Sequence, residues 1–221
     1  MSSADGLMRG FIGRRLFWGR VSMSVTQFEL RCVQRKDITA FIEAHHYSGS
    51  INGCIADYCF SLHDGDRMIG AMFYGRMAMA GQWKRFAGQE LDVIELRRLC
   101  CIDDTPKNTE SFFIGATLRW LKRNTPHRIV VSYADAEYGH TGTMYRASNF
   151  TLEGKRAGAR VILFNGKRYH DKAIRTKYKG ELKPFAVRIK AALEAGEAVY
   201  ATTAGKFCYT FALRKPKVSN V

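Results

Sequence analysis

Between residues 91 and 137 the chain sets one amphipathic helix between two strand-like runs, and this segment restricts the architecture more than any other. LDVIELRRLCCI (91 to 102) and HRIVVSYADAE (127 to 137) carry the apolar and β-branched density of buried strands. Between them SFFIGATLRWLKRN (111 to 124) spaces its apolar residues along one helical face. Its last turn holds Lys122 and Arg123, where the helix dipole favours cations. Strand, helix and strand in succession predict a sheet with helices on its faces.

The flanks extend the pattern. VTQFELRCV, from Val25, alternates as a half-buried strand does. Asp37 is expected to cap a helix in which Ile38, Phe41, Ile42 and His45 share a face, ending in the loop residues of HHYSGSINGC. IADYCFSLHDG and RMIGAMFYGRM are expected to pair as a hairpin through Asp64-Gly65. GTMYRASNF reads as a short helix, and TLEGKRAG and RVILFNGKRYH as strands that close the sheet. ELKPFAVRIKAALEAG is helical with Pro184 near its start, and KFCYTFALRK is a final strand. The fold class is a mixed α/β (α+β) sheet flanked by helices, with a C-terminal helix and strand.

With 221 residues, 46% of them hydrophobic, the chain can bury a full core. Residues 25–221 are expected to form the folded domain, with a basic part over 155–221, and residues 1–24 a basic arm. The arm's RGFIGRRLFWGR interleaves arginine with aromatics, as a segment that orders on nucleic acid or as a leader ahead of Met23. No apolar stretch reaches the ~20 residues that a membrane span needs, so no membrane partner and a cytoplasmic location are expected. Six cysteines form no CxxC pair and no zinc-finger spacing, and the histidines form no ligand triad, so no metal is expected.

Charge points to the partner. Lys and Arg number 35 against 20 Asp and Glu, a net charge of +15, which favours a polyanion. Residues 155 to 190 hold twelve Lys and Arg against Asp171 and Glu181 alone. Lys155, Arg156, Lys167, Arg168, Lys172, Arg175 and Lys177 are the expected nucleic-acid contacts there; a solvated face that keeps the protein soluble is the alternative. Lys84 and Arg85, in AGQWKRFAG, join the list.

Two stretches carry a resemblance to a fold family. ELRRLCCIDD followed by SFFIGATLRWL is similar to the central strand and donor-binding helix of the GCN5-related N-acetyltransferases. GTMYRASNFTLEG resembles their late helix, where a tyrosine often serves as general acid; Tyr145, Asn149, Phe150 and Gly154 stand at the matching positions. The chain departs from acyl-CoA users in the loop before the donor helix. Theirs is rich in glycine, so that backbone amides cradle a pyrophosphate; here it reads TPKNTES.

HHYSGS (45 to 50), ELRRL (95 to 99), PKNTES (106 to 111), and Asp135, Gly139, His140, Gly142, Tyr145 and Asn149-Phe150 together resemble the Mom family of phage DNA-modification proteins over most of the chain. The resemblance implies conversion of adenine in duplex DNA to N6-carbamoylmethyladenine, which shields phage DNA from restriction endonucleases. The implied partner is double-stranded DNA in the host cytoplasm.

Roles follow for particular residues. Tyr145 is a candidate to protonate a departing oxygen or to orient the donor, or else to cap a core helix. Asp135, at a strand end where α/β sheets bind ligands, is a candidate proton acceptor or a turn cap, with Glu137 behind it. His46 and Tyr47, after a helix on a Gly/Ser-rich loop, suit a general base and a base-stacking platform. Arg98 is expected to clamp a phosphate or to pair with Glu95. Asn108 and Ser111 are expected to hold the donor or to cap the helix they open. Adenine must be flipped out of the duplex for reaction, and Tyr47, Trp83 and Phe86 are candidates for the stacking or wedge role.

The donor is read from the implied product. A carbamoylmethyl group joins nitrogen through CH₂, whereas an acyltransferase leaves a carbonyl there. Glycyl transfer followed by rearrangement resolves the mismatch without redox chemistry. Glycyl-tRNA is therefore the expected donor and tRNA a second expected partner, with acetyl-CoA or metal-assisted chemistry as the alternatives. A non-enzymatic basic DNA-binding protein is a reading of another class, and an ordinary acetyltransferase a third.

Overall fold

The structure, a computed structural model, describes residues 25–214. The basic arm read over residues 1–24 lies outside them. In chain order the elements are β1 (Glu29–Val33), α1 (Arg35–His45), β2 (Tyr58–Asp64), β3 (Arg67–Gly75), β4 (Val93–Cys101), α2 (Thr109–Asn124), β5 (Ile129–Asp135), α3 (Thr143–Ala147), β6 (Thr151–Arg156), β7 (Arg160–Phe164), β8 (Lys167–His170), β9 (Lys177–Tyr178), β10 (Glu181–Leu182), α4 (Pro184–Glu194), β11 (Val199–Thr202) and β12 (Lys206–Ala212).

The fold is the mixed α/β sheet with flanking helices that the sequence predicts. Its main sheet has the order β1-β2-β3-β4-β5-β12-β6, and β4 and β5 run parallel with α2 as their crossover. α2 covers one face with Phe113, Ile114, Leu118 and Leu121, packed with Ile94, Leu96 and Val130. α1 covers the other, where Ile38 and Ile42 meet Ala71, Phe73 and Cys100. Each of the buried Ile, Leu, Val and Phe side chains contributes about 1.5–3 kcal/mol of apolar transfer.

Three local expectations change. Val25–Gln27 is a 3-10 turn and the first strand begins at Glu29. Asp37 is the third residue of α1, not its cap: Gln34 caps the helix, and the Asp37 carboxylate accepts the Gln34 N–H at 2.9 Å. The third concerns the closing strands. β6 does lie at the edge of the main sheet, but the last strand, β12, occupies the place beside β5. The chain therefore leaves the sheet after Arg156, and β7, β8 and β11 form a separate sheet in the order β11-β7-β8.

That second sheet has its own core, in which Ile162 and Ile174 pack on Ala186, Ile189 and Ala192 of α4. Its turn at Asn165-Gly166 has φ of 47° and 68°, the paired positive values that a tight hairpin demands. Two connections join it to the main sheet, and they lie against each other: a Cβ on Gly158 would stand 1.8 Å from the Thr203 carbonyl oxygen. Only glycine allows that approach. Among the described residues no helix is long and apolar enough to cross a membrane.

Candidate active site

The site begins with a defect in β4. Phe73 pairs with Arg98 and Tyr74 with Leu96, which leaves Arg97 as an extra residue, a β-bulge. A bulge bends its strand and raises its twist. The ladder between β4 and β5 ends at Leu96 and Ser132, just before the bulge, while β4 runs on to Cys101 and β5 to Asp135. The two strands part there, and a cavity of about 630 Å³ fills the opening.

Seven residues that the sequence singles out line this cavity: Tyr145, Asp135, His46, Tyr47, Arg98, Asn108 and Ser111. They come from α3, the end of β5, the loop after α1, the bulged strand and the head of α2.

Tyr145 is the most firmly held. α3 ends in a Schellman motif: Asn149 adopts φ 62°, its N–H donates to the Arg146 carbonyl, and the Phe150 N–H donates to the Tyr145 carbonyl. The Phe150 ring then packs on Tyr145 at 5.5 Å, and Tyr209 packs on it at 5.3 Å. The Asn-Phe pair of the sequence is thus a device that fixes the tyrosine. Burial pushes the Tyr145 phenol up to about 12, against the opposing hydrogen bond of Ser132. It stays protonated at neutral pH and can donate.

The loop after α1 fixes the tautomer of His46. The backbone N–H of Ser48 donates to its Nδ1 at 3.1 Å, so the ring proton of the neutral form sits on Nε2. Burial, with Arg98 and His140 nearby, depresses its pKa to about 4. Arg98 reinforces this loop, donating from Nε to the Ser48 hydroxyl at 3.2 Å. It does not pair with Glu95; that carboxylate pairs with Arg97 at 3.3 Å, both side chains buried.

Asp135 is a turn cap and also an ion-pair partner. One oxygen caps the turn that follows, accepting the Glu137 N–H at 3.1 Å, and the other meets Lys206 Nζ at 3.0 Å. Glu137 is occupied elsewhere, by the Ala204 N–H and Arg168. Asn108 opens α2 in the left-handed conformation with no side-chain cap bond, and Ser111 Oγ donates to the Asn108 carbonyl.

The mouth carries aromatic rings. Tyr47 lies 4.2 Å from His46, 4.5 Å from Tyr138 and 4.9 Å from His140, and Tyr47 and Tyr138 are each 46% exposed. Sequence reading missed Tyr138; its only signal was its place three residues after Asp135. Trp83 and Phe86 do not join this cluster. They pack against Val93, Val131 and Cys208, so they anchor the loop that carries Lys84 and Arg85 and do not form a wedge at the cavity.

The remaining basic residues lie on β6 and along the segment from β8 to β9. Lys167 and Arg168 sit on β8, Lys172 on the 3-10 turn after it, Arg175 just past that turn, and Lys177 on β9. Arg168 reaches the cavity rim, with its guanidinium 5.8 Å from the Tyr138 ring and 3.8 Å from Glu137. Lys155 and Arg156 are on β6; Arg156 Nε is buried. Among the described residues no group of three or more His, Cys, Asp and Glu could hold a metal ion.

Comparisons with known proteins identify the fold and the family. Arabidopsis thaliana NAA60, solved with acetyl-CoA, superposes with a TM-score of 0.51 at 9% identity, over 84% of this chain and 98% of that one. The ribosomal-protein-S18-alanine N-acetyltransferase of Escherichia coli gives 0.50 at 9% identity, over 88% and 98%. The fold is that of the N-acetyltransferases. In sequence, the chain is 35% identical over 79 residues to "Methylcarbamoylase mom" of Escherichia phage Mu, a match that spans 35% of this chain and 32% of that relative's length. The family model described as "Mom protein family" matches residues 27–220, and the chain belongs to that family.

Proposed function

We propose that this chain is a phage DNA-modifying transferase that converts adenine in duplex DNA to N6-carbamoylmethyladenine, an anti-restriction modification, with glycyl-tRNA as donor. The observation that carries the reading is the convergence in one cavity of Tyr145, Asp135, His46, Arg98 and the head of α2, beneath an exposed aromatic cluster.

The chemistry balances without a redox step. The adenine N6 attacks the glycyl ester carbonyl, the ester C–O bond breaks, and the tRNA ribose oxygen leaves as a hydroxyl. The product carries N6–CO–CH₂–NH₂. Its free amine attacks C6 through a five-membered ring, the C6–N6 bond breaks, and the base ends on the glycine nitrogen while N6 becomes the carboxamide. In this scheme Tyr145 protonates the departing oxygen. Asp135, with one oxygen 3.0 Å from Lys206 Nζ, takes the proton from the adenine amine. The Nε2–H of His46 orients the carbonyl, and Tyr47, Tyr138 and His140 stack the flipped base, whose extrusion costs a few kcal/mol.

The head of α2 does not fit the pyrophosphate of CoA. Its loop lacks glycine, the Thr109 N–H is already bonded to the Pro106 carbonyl, and the small pocket under the loop sets the carboxylates of Asp103 and Glu110 against Lys107 alone, with Arg97 and Arg98 further along the main cavity. Those acids suit a donor that carries a cation, as the α-ammonium of a glycyl ester does. The solved N-acetyltransferases with acetyl-CoA favour the competing donor.

The test is nucleoside mass spectrometry of duplex DNA treated with pure protein and ¹⁵N-glycyl-tRNA, beside a reaction with acetyl-CoA. Label between C6 and the methylene carbon supports the scheme. Modification with acetyl-CoA alone, or none with glycyl-tRNA, refutes the donor.

A further inference from the structure

Residues 155 to 190 contain two acids, and one of them is spent in an unexpected place. Asp171 opens the 3-10 turn after β8 and is buried. A single oxygen of its carboxylate takes both Arg160 Nη2 at 3.0 Å and Arg175 Nη2 at 2.7 Å. The two arginines are far from buried, with side-chain exposures of 58% and 65%. Arg160 also lies over the half-exposed ring of Tyr200 on the neighbouring β11, 4.7 Å from its centroid.

Each guanidinium has five N–H donors and spends one on Asp171. The others remain available on the outer side, and the planar fork matches the oxygens of a phosphate. Two like charges that share one oxygen would separate without it. Asp171 therefore does not neutralise the surface; it holds two cations at a fixed spacing from beneath, and one of them rests against the Tyr200 ring.

We infer that Arg160 and Arg175 form a preorganised clamp for the phosphodiester backbone of a nucleic acid, with Tyr200 as its floor and Asp171 as its positioning residue. The clamp lies on the second sheet, outside the cavity. The inference rests on the reading that nucleic acid is the substrate, and it adds a docking point to that reading. Simple charge counting and preorganisation give opposite signs for one substitution. Asp171→Asn removes a negative charge, so charge counting expects tighter binding. Loss of the organising carboxylate expects weaker binding, by about threefold or more.

The experiment is a salt titration of binding to radiolabelled duplex DNA and, separately, to deacylated tRNA. The proteins are the full chain, Asp171→Asn, Arg160→Gln, Arg175→Gln, and Lys190→Gln on α4 as a charge-matched control, each with its melting curve. The clamp is supported if Asp171→Asn weakens binding, and if each arginine variant lowers the salt slope by about 0.9 for duplex while the control changes it less. Which nucleic acid loses affinity tells whether DNA or tRNA occupies it. Tighter or unchanged binding by a folded Asp171→Asn overturns the proposal. Should that variant unfold, arginine variants that match Lys190→Gln on both nucleic acids overturn it as well. A wild-type chain that binds neither refutes the functional reading itself.

Discussion

Acid should unfold this protein in part through His46. The Nδ1 of that ring accepts the Ser48 N–H, and Arg98 and His140 stand nearby, so protonation breaks a hydrogen bond and adds a cation beside an arginine. Its pKa falls from 6.5 to about 4 on folding. The sign follows directly: between those values the unfolded chain binds the proton and the folded chain does not. Stability from this group is whole above pH 6.5 and is lost progressively as pH falls to about 4, by about 3 kcal/mol at 1.36 kcal/mol per unit. His63 and His127 are shifted the same way, so wild type alone does not isolate the effect. Urea unfolding at pH 7, 6, 5 and 4, on wild type and His46→Asn, does, because Asn offers an oxygen where Nδ1 stood. The variant should lose about 3 kcal/mol less between the extremes. Equal losses in the two proteins, or an NMR titration of His46 with a midpoint near 6.5, would refute both the shift and the assignment of His46 as a donor.

Other substitutions separate chemistry from packing. Tyr145→Phe keeps the ring against Phe150 and Tyr209, so melting should move by about 1 kcal/mol or less while modification falls by about 10²-fold or more, read by nucleoside mass spectrometry. Gly142→Ala meets two obstacles, a φ of 78° and a Cβ 2.3 Å from the fully buried Tyr209 ring; a loss of several kcal/mol is expected in denaturant, and a loss below about 1 kcal/mol would contradict the packing. Arg97→Leu strands the buried Glu95 carboxylate and should cost about 3–5 kcal/mol, most of it restored when Glu95→Leu is added.

What the sequence made legible was local. The spacing of Phe113, Ile114 and Leu118 announced α2, and Asn165-Gly166 announced a hairpin, because each depends on neighbours in the chain. The position of β12 did not show, since nothing in KFCYTFALRK records that it pairs with β5 at a distance of some seventy residues. That one insertion also decided the fate of β7 and β8, which were read as part of the main sheet and belong to another. At the site the same division holds. Asp135, Tyr145 and the HHYSGS loop stood out as residues of chemical type at element ends. Tyr138 did not, because its meaning lies in contact with Tyr47, some ninety residues earlier.

The bulge at Arg97 ties these observations to function. Without it, β4 and β5 would keep their ladder past Leu96 and Ser132, and Arg98 would lie along a closed sheet. With it, the strands part, Arg98 reaches the His46 loop, and the head of α2 faces Tyr145 across the opening. The extra residue is not idle: Arg97 donates to the Arg76 carbonyl and to Glu95, so the bulge is held by a buried ion pair and a backbone contact with the end of the β3 region. Deleting Arg97, and so restoring the register, should therefore abolish modification more completely than any single cavity substitution, while leaving the second sheet and the clamp proposed on it in place. A deletion variant that folds and still modifies adenine would show that the open strands are not what makes the site.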